Sequence, residues 1–214
     1  MSKTSAKNTI IKDALKLFCI TLVAGVLLGF VYEITKDPIK KQEQETKQRA
    51  YQTVFTDATS FKESDTVTAA VEKSSELLSD ATITGGADFS GITISEALEA
   101  YDSSDSLIGY VMNVITSNGY GGDIKVSIGI RMDGTVTGME ILSISETAGL
   151  GMKAAESKFK NQFKDKNVDQ FEYTKVGATK ENEIDAISGA TITTKAVTGA
   201  VNAGICFTKN CLFQ

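Results

Sequence analysis

Apolar and polar positions change rhythm three times along the chain. Residues 17–32 read LFCITLVAGVLLGFVY without a charge, and Ala14 and Leu15 extend the run backwards past Lys16, whose long stem lets its ammonium reach the edge of an apolar layer. About 20 apolar residues suffice for a helix to cross a bilayer, so residues 14–34 are expected to form a transmembrane helix, with 1–13 as a short tail. The run is long for the core of a signal peptide and no small-x-small cleavage site precedes Glu33, which favours an uncleaved anchor over a cleaved leader. Residues 35–54 are charged, with a weak apolar stripe through Ala50, Tyr51 and Val54. They are expected to form a helical linker to one domain over residues 55–214.

Inside that domain Ala69 to Leu78 has helical composition, and Thr84-Gly85-Gly86 marks a turn. The period then drops to two. Ser95–Tyr101 and Leu107–Ile115 read as strands around the turn Asp102-Ser103-Ser104-Asp105, and Ile124, Val126, Ile128 and Ile130 alternate with Lys125, Ser127, Gly129 and Arg131. Asp133-Gly134 supplies a hairpin turn. Val136 begins a return strand whose apolar phase slips at Gly138 before Met139 and Ile141, the mark of a β-bulge. Helical spacing takes over at Ala154–Phe163 and Ile192–Phe207. Successive hairpins followed by helices predict an α+β domain with a mainly antiparallel sheet and flanking helices.

Composition narrows the chemistry by what is missing. The 214 residues include no histidine and carry a net charge of −5. A Ser-His-Asp triad and histidine-ligated zinc or haem are thereby excluded from this chain, so a carried cofactor is a better source of reactivity than its side chains. Basic residues are scattered among acidic ones, which leaves no electrostatic footprint for nucleic acid. Cys19 lies in the apolar run. Cys206 and Cys211 are too few for an iron–sulfur cluster and lack CxxC spacing, and their spacing admits either a C-terminal disulfide or two free thiols.

Candidate chemistry concentrates in Asp185-Ala186-Ile187-Ser188-Gly189-Ala190-Thr191-Ile192-Thr193-Thr194. A compact hydroxyl and glycine turn is followed by Val197, Ala200, Val201 and Ile205 at helical spacing. Thr191 to Thr194 therefore sit at a helix N-terminus, where unpaired N–H groups and the positive dipole end attract an anion. Gly189 and Lys195 are too close together for a P-loop. An ordinary Ser/Thr cap would show the same pattern, so the turn alone does not separate a phosphate site from a cap.

The run resembles the flavinylation motif Asp-x-x-Ser/Thr-Gly-Ala-Thr of a family that includes RnfG of the Rnf complexes and NqrC of the sodium-translocating NADH:quinone oxidoreductase. A second signature of that family, Glu-Thr-Pro-Gly-Leu-Gly, is matched by Glu146-Thr147-Ala148-Gly149-Leu150-Gly151, with alanine in place of proline. The resemblance spans about Gly109 to Gly204, takes in the loop Gly119-Tyr120-Gly121-Gly122, and accommodates the N-terminal anchor.

It implies FMN esterified through its phosphate to Thr191, with Gly189 admitting close backbone approach, Ser188 capping or ordering the turn, and Asp185 serving the modifying enzyme. It makes Glu146, Thr147, Gly149 and Leu150 candidates for the flavin wall, Lys153 for a charge beside the ring, and Ala190, Thr193 and Thr194 neighbours of the attachment point. Implied partners are the other membrane subunits of the complex, with a second covalent flavin and an iron–sulfur centre, and a flavin transferase that uses FAD. The resemblance also implies a cytoplasmic N-terminus and an extracytoplasmic domain, an orientation that the lysines on both sides of the anchor do not decide. The implied function is electron relay in an ion-translocating ferredoxin:NAD oxidoreductase. A component of the quinone-reducing pump, a free-standing extracytoplasmic flavoprotein and a cofactor-free anchored interaction domain are the alternatives.

Overall fold

The computed structural model describes the backbone of residues 3–213 and the side chains of residues 10–213. Met1, Ser2 and Gln214, and the side chains of Lys3 and Lys7 that flank the anchor, lie outside the described residues. The chain divides into two units, residues 1–45 and residues 46–214. Helix α1 (Lys3–Val54) supplies the first unit and enters the second. The pattern predicted a membrane helix over residues 14–34 followed by a helical linker over 35–54. The two are one helix, which continues through Pro38, whose missing N–H removes a rung of the ladder without ending it. Among the described residues, α1 is the one helix long and apolar enough to cross a membrane, and its apolar stretch is exposed within the structure.

In the second unit five antiparallel strands follow one another in sequence order: β1 (Ser60–Lys62), β2 (Ile92–Tyr101), β3 (Leu107–Thr116), β4 (Ile124–Arg131) and β5 (Val136–Ser143). The hairpin turns are those the sequence predicts. Asp102 accepts the amides of Ser104 and Ser106, and Asp133 accepts that of Thr135 beside Gly134, whose φ of 88° needs glycine. The expected bulge lies at Thr137, since Val136 pairs with Ile130 and Gly138 with Gly129. A second bulge at Ser95 was not anticipated. It interrupts the alternation, so the strand begins at Ile92 and not at Ser95.

Other elements depart from expectation for local reasons. The helix predicted over Ala154–Phe163 is broken by extended backbone at Glu156 into a 3₁₀ turn (Gly151–Ala155), α4 (Ser157–Lys160) and a second 3₁₀ turn (Asn161–Phe163). The predicted helix near Ala69–Leu78 is two short ones, α2 (Asp65–Glu72) and α3 (Ser74–Leu77). Strand β1 and a small parallel pair, β6 (Glu172–Thr174) and β7 (Glu183–Asp185), are too short to carry a readable period.

One face of the sheet, with Met112, Val114 and the isoleucines of β4, packs on α5 (Thr191–Phe207) to form the main core. Small residues allow the helix to lie close. A Cβ at Gly204 would meet Ile128 at 3.1 Å and Met112 at 3.2 Å.

The opposite face receives the last turns of α1, residues 46–54. Three glycines open a channel there for Val54 and Phe55: a Cβ at Gly109 would stand 2.8 Å from the Phe55 ring, and one at Gly129 would stand 2.7 Å from the Val54 carbonyl, while Gly138 borders Val54. The bulged Thr137 donates its hydroxyl to that carbonyl. One to two turns earlier the contact becomes polar. Lys47 Nζ lies 2.6 Å from Glu96 Oε2, which also accepts from Tyr51 OH at 3.0 Å and from Asn113 Nδ2 at 2.8 Å. Burial pushes the Glu96 carboxyl up, but the Lys47 hydrogen bond and charge, with the Tyr51 and Asn113 hydrogen bonds, leave it below its ordinary value. Burial and the Glu96 charge raise the Tyr51 phenol.

Gly129→Ala should overpack the channel and cost about 1–3 kcal/mol of stability, measured by denaturant unfolding. An unchanged midpoint would mean that Phe55 moves aside freely. The Glu96 cluster contributes stability that is present above the ordinary carboxylate value of 4.5 and is lost as pH falls through the lowered folded value. Glu96→Gln should therefore flatten the acid limb of the stability profile. A parallel, merely displaced profile would show that the ionised carboxylate is not what matters.

Candidate functional site

The start of α5 is shaped by the residues just before it. Gly189 has φ 77°, a left-handed conformation that glycine adopts without strain, and Ala190 N–H closes a turn onto the Ile187 carbonyl at 3.0 Å. The buried Thr194 hydroxyl holds this turn, accepting Ile187 N–H at 3.0 Å and donating to the Ala190 carbonyl at 2.9 Å. Ser188, expected to cap or order the turn, is exposed; Thr194 does the ordering. Ala190 occupies the N-cap position and no side chain caps the helix. The first-turn amides and the positive dipole end are thereby left without a side-chain cap beside Thr191, which is half-buried.

The second signature forms a tight turn against the first. Leu150 N–H bonds to the Thr147 carbonyl at 3.1 Å with Gly149 at φ 76°, an arrangement that places Ala148 where type II turns favour proline. Leu150 then rests on Gly189, where a Cβ would come within 2.9 Å of its Cδ2. Glu146 is buried and works as a strut. Its Oε1 accepts the Tyr120 amide at 2.7 Å and the Gly121 amide at 3.3 Å, which binds the Gly119–Gly122 loop to this turn. A Cβ at Gly151 would stand 2.7 Å from Glu146 Oε2 and from Thr193 Oγ1, so glycine is required where the turn meets α5.

These segments enclose a cleft of about 640 Å³. Of the sequence-predicted residues, Glu146, Thr147, Leu150, Gly189, Ala190, Thr191 and Thr193 line it. Gly149, Ser188, Thr194, Lys153 and Asp185 do not. Gly149 and Thr194 shape the turns, and Lys153 is exposed beyond the wall. Asp185 lies on β7, where its carboxylate accepts the Ala178 amide at 2.7 Å and its own amide bonds to Gln162 at 2.6 Å. Tyr120, Gly151 and Ile192 also line the cleft and were not singled out. Tyr120 belongs to the loop already marked by its glycines, and Ile192 directly follows Thr191.

Tyr120 is 72% exposed, Ile192 52% and Leu150 42%, so the exposed lining is largely apolar, while the polar lining offers backbone amides, threonine hydroxyls and the Glu146 carboxylate, whose Oε1 is already bonded to the Tyr120 and Gly121 amides. That combination suits a ligand with a phosphate at one end and a flat, largely apolar ring at the other. The residues present therefore fit FMN.

Comparison with known proteins agrees with this geometry. A family model for an FMN-binding domain matches residues 119–205, and one for the RnfG N-terminal region matches residues 1–54. The G component of the Na(+)-translocating ferredoxin:NAD(+) oxidoreductase complex of Acetobacterium woodii is 33% identical, over 92% of this chain and 91% of its own length. Its counterpart from the proton-translocating complex of Clostridium ljungdahlii is 28% identical, over 96% of this chain and 95% of its own length. Among solved structures, NqrC of Shewanella oneidensis aligns with a TM-score of 0.46 at 21% identity, covering 53% of this chain and 57% of that one. The corresponding component of the Na(+)-translocating NADH-quinone reductase of Parabacteroides distasonis aligns at 0.46 and 25% identity, covering 55% and 62%.

Ala148→Pro should stabilise the protein by about 0.4–1 kcal/mol, because proline's fixed φ suits this turn position and reduces the freedom of the unfolded chain. Thermal unfolding checks it. Destabilisation would show that the 147–150 turn needs a backbone angle or an amide that proline cannot supply.

Proposed function

The chain belongs to the RnfG family of ion-translocating ferredoxin:NAD(+) oxidoreductase complexes, and on that premise we propose that it is an electron-transfer component with FMN esterified to Thr191. The observation that carries this reading is the meeting of Leu150 with Gly189, which brings both signatures around one cleft with Thr191 at its edge. When bound, FMN supplies the redox chemistry that the side chains of this chain lack. The protein's part is to hold it. The first-turn amides of α5 and the helix dipole would balance the phosphate charge, while Leu150, Ile192 and Tyr120 would lie against the ring.

Attachment requires the Thr191 hydroxyl to lose its proton and bond the FMN phosphorus, as the pyrophosphate bond of FAD breaks and AMP departs. A flavin transferase is the proposed agent. The ester keeps an extracytoplasmic domain from losing its cofactor by dissociation. In this reading residues 14–34 cross the membrane, residues 1–13 face the cytoplasm, and residues 55–214 lie outside, next to the other membrane subunits of the complex.

Protein from a host with the transferase should keep a fluorescent flavin through denaturing electrophoresis, with an intact mass higher by FMN less water. Thr191→Ala should remove both signals. Flavin that persisted in this variant, or mapped to Thr193 or Thr194, would overturn the assignment. Leu150→Asp places a carboxylate at the cleft mouth, so the flavin midpoint potential should fall while attachment survives. An unchanged potential would place the ring away from Leu150.

A further inference from the structure

We propose that the outer face of the sheet holds one buried, ordered water molecule between Asn113 and Ser127, completing a polar row that runs from Lys47 to Lys160. Strand register carries the first part of the argument. Glu96 pairs with Asn113, Asn113 with Ser127, and Ser127 with Glu140, so four polar residues form one line across β2, β3, β4 and β5 on a single face. Each end of the line is closed by a lysine, Lys47 on Glu96 and Lys160 on Glu140.

The orientation of the Asn113 amide is fixed by chemistry. An ionised Glu96 carboxylate can only accept, so Asn113 must present Nδ2 to it, and the same Nδ2 lies 2.6 Å from Tyr51 OH. Oδ1 is therefore turned away from that cluster. Asn113 Oδ1 and Ser127 Oγ are buried, in residues only 3% and 0% exposed, and both lack a hydrogen-bond partner among the described residues. Paired side chains on one sheet face have Cβ atoms about 4.5–5.5 Å apart, near enough for one small ligand to reach both.

That ligand must donate to the Asn113 carbonyl oxygen and either donate to or accept from the Ser127 hydroxyl. Water does both, and buried waters characteristically satisfy such groups. A monovalent cation is the poorer match, because only two neutral oxygens are unclaimed and two ammonium groups stand in the same row. The last turns of α1 thus meet the sheet through a dry end at Val54 and Phe55 and a hydrated polar end. This inference is independent of the flavin reading.

A high-resolution crystal structure of the full chain, with and without a thallium(I) soak, tests it. The expected result is one solvent peak about 2.7–3.2 Å from both Asn113 Oδ1 and Ser127 Oγ, with no thallium anomalous signal. In Ser127→Val the peak should disappear while the Lys47, Tyr51 and Glu96 contacts remain. A direct Ser127 to Asn113 hydrogen bond with no peak, thallium at the site, or a peak unmoved in Ser127→Val would each overturn the proposal. The wild-type structure decides the matter even if the variant does not fold.

Discussion

Burial of α5 against β3 and β4 is the interaction on which the site depends. Gly199, Ala200, Ala203 and Gly204 keep the helix thin on its inner side, so that Ile92, Met112 and Ile128 reach its backbone and the axis is held close to the sheet. A helix fixed along its length has a fixed beginning. The amides of its first turn point at one place, and Thr194, buried in that turn, carries the constraint back to Ile187 and Ala190. Thr191 inherits its position from the core, although it lies at the edge of a cleft.

The rest of the cleft is built by backbone fitting against backbone. Gly151 meets Glu146 and Thr193, Gly189 meets Leu150, and the Tyr120 loop hangs from Glu146. Small residues dominate because side chains would hold these segments apart. The result is polar at the helix terminus and largely apolar in its exposed lining. Phosphate charge belongs at the first and a flat ring at the second. The Glu146 carboxylate is the one charged side chain lining the cleft among the described residues, and its Oε1 is taken up by the Tyr120 and Gly121 amides. Lys153, expected to supply a charge beside the ring, is exposed and is not among the residues that line the cleft.

The two faces of the sheet are covered by different means. On the α5 side the contact is apolar and continuous. On the other side the end of α1 is keyed in by glycines beneath Val54 and Phe55 and by the Lys47, Tyr51, Glu96 and Asn113 cluster. The Lys47–Glu96 pair is part-buried, so desolvation offsets part of its Coulombic gain while the Tyr51 and Asn113 hydrogen bonds fix its geometry.

Much of the architecture was legible in the chain because it rests on local periodicity. The charge-free run, the alternation in β4, the Asp-Gly hairpin and the helix after Ala190 are each set by neighbouring residues and by the geometry of one element. The slip of phase near Gly138 was legible too, as a bulge one residue away from where it lies. What escaped was non-local. The bulge at Ser95 hid the start of β2, Glu156 broke a helix that its apolar spacing favoured, and β6 and β7 are too short to show a rhythm. The resemblance already placed both signatures around one flavin, but the contact by which they meet, Leu150 on Gly189, is a property of the folded sheet. The same holds for the division of labour among the motif residues. Ser188 looked like the cap, yet Thr194 orders the turn, and Asp185, expected to serve the modifying enzyme, also holds the Ala178 loop. Residue type restricts what a side chain can do, while packing decides which of its neighbours it does it to.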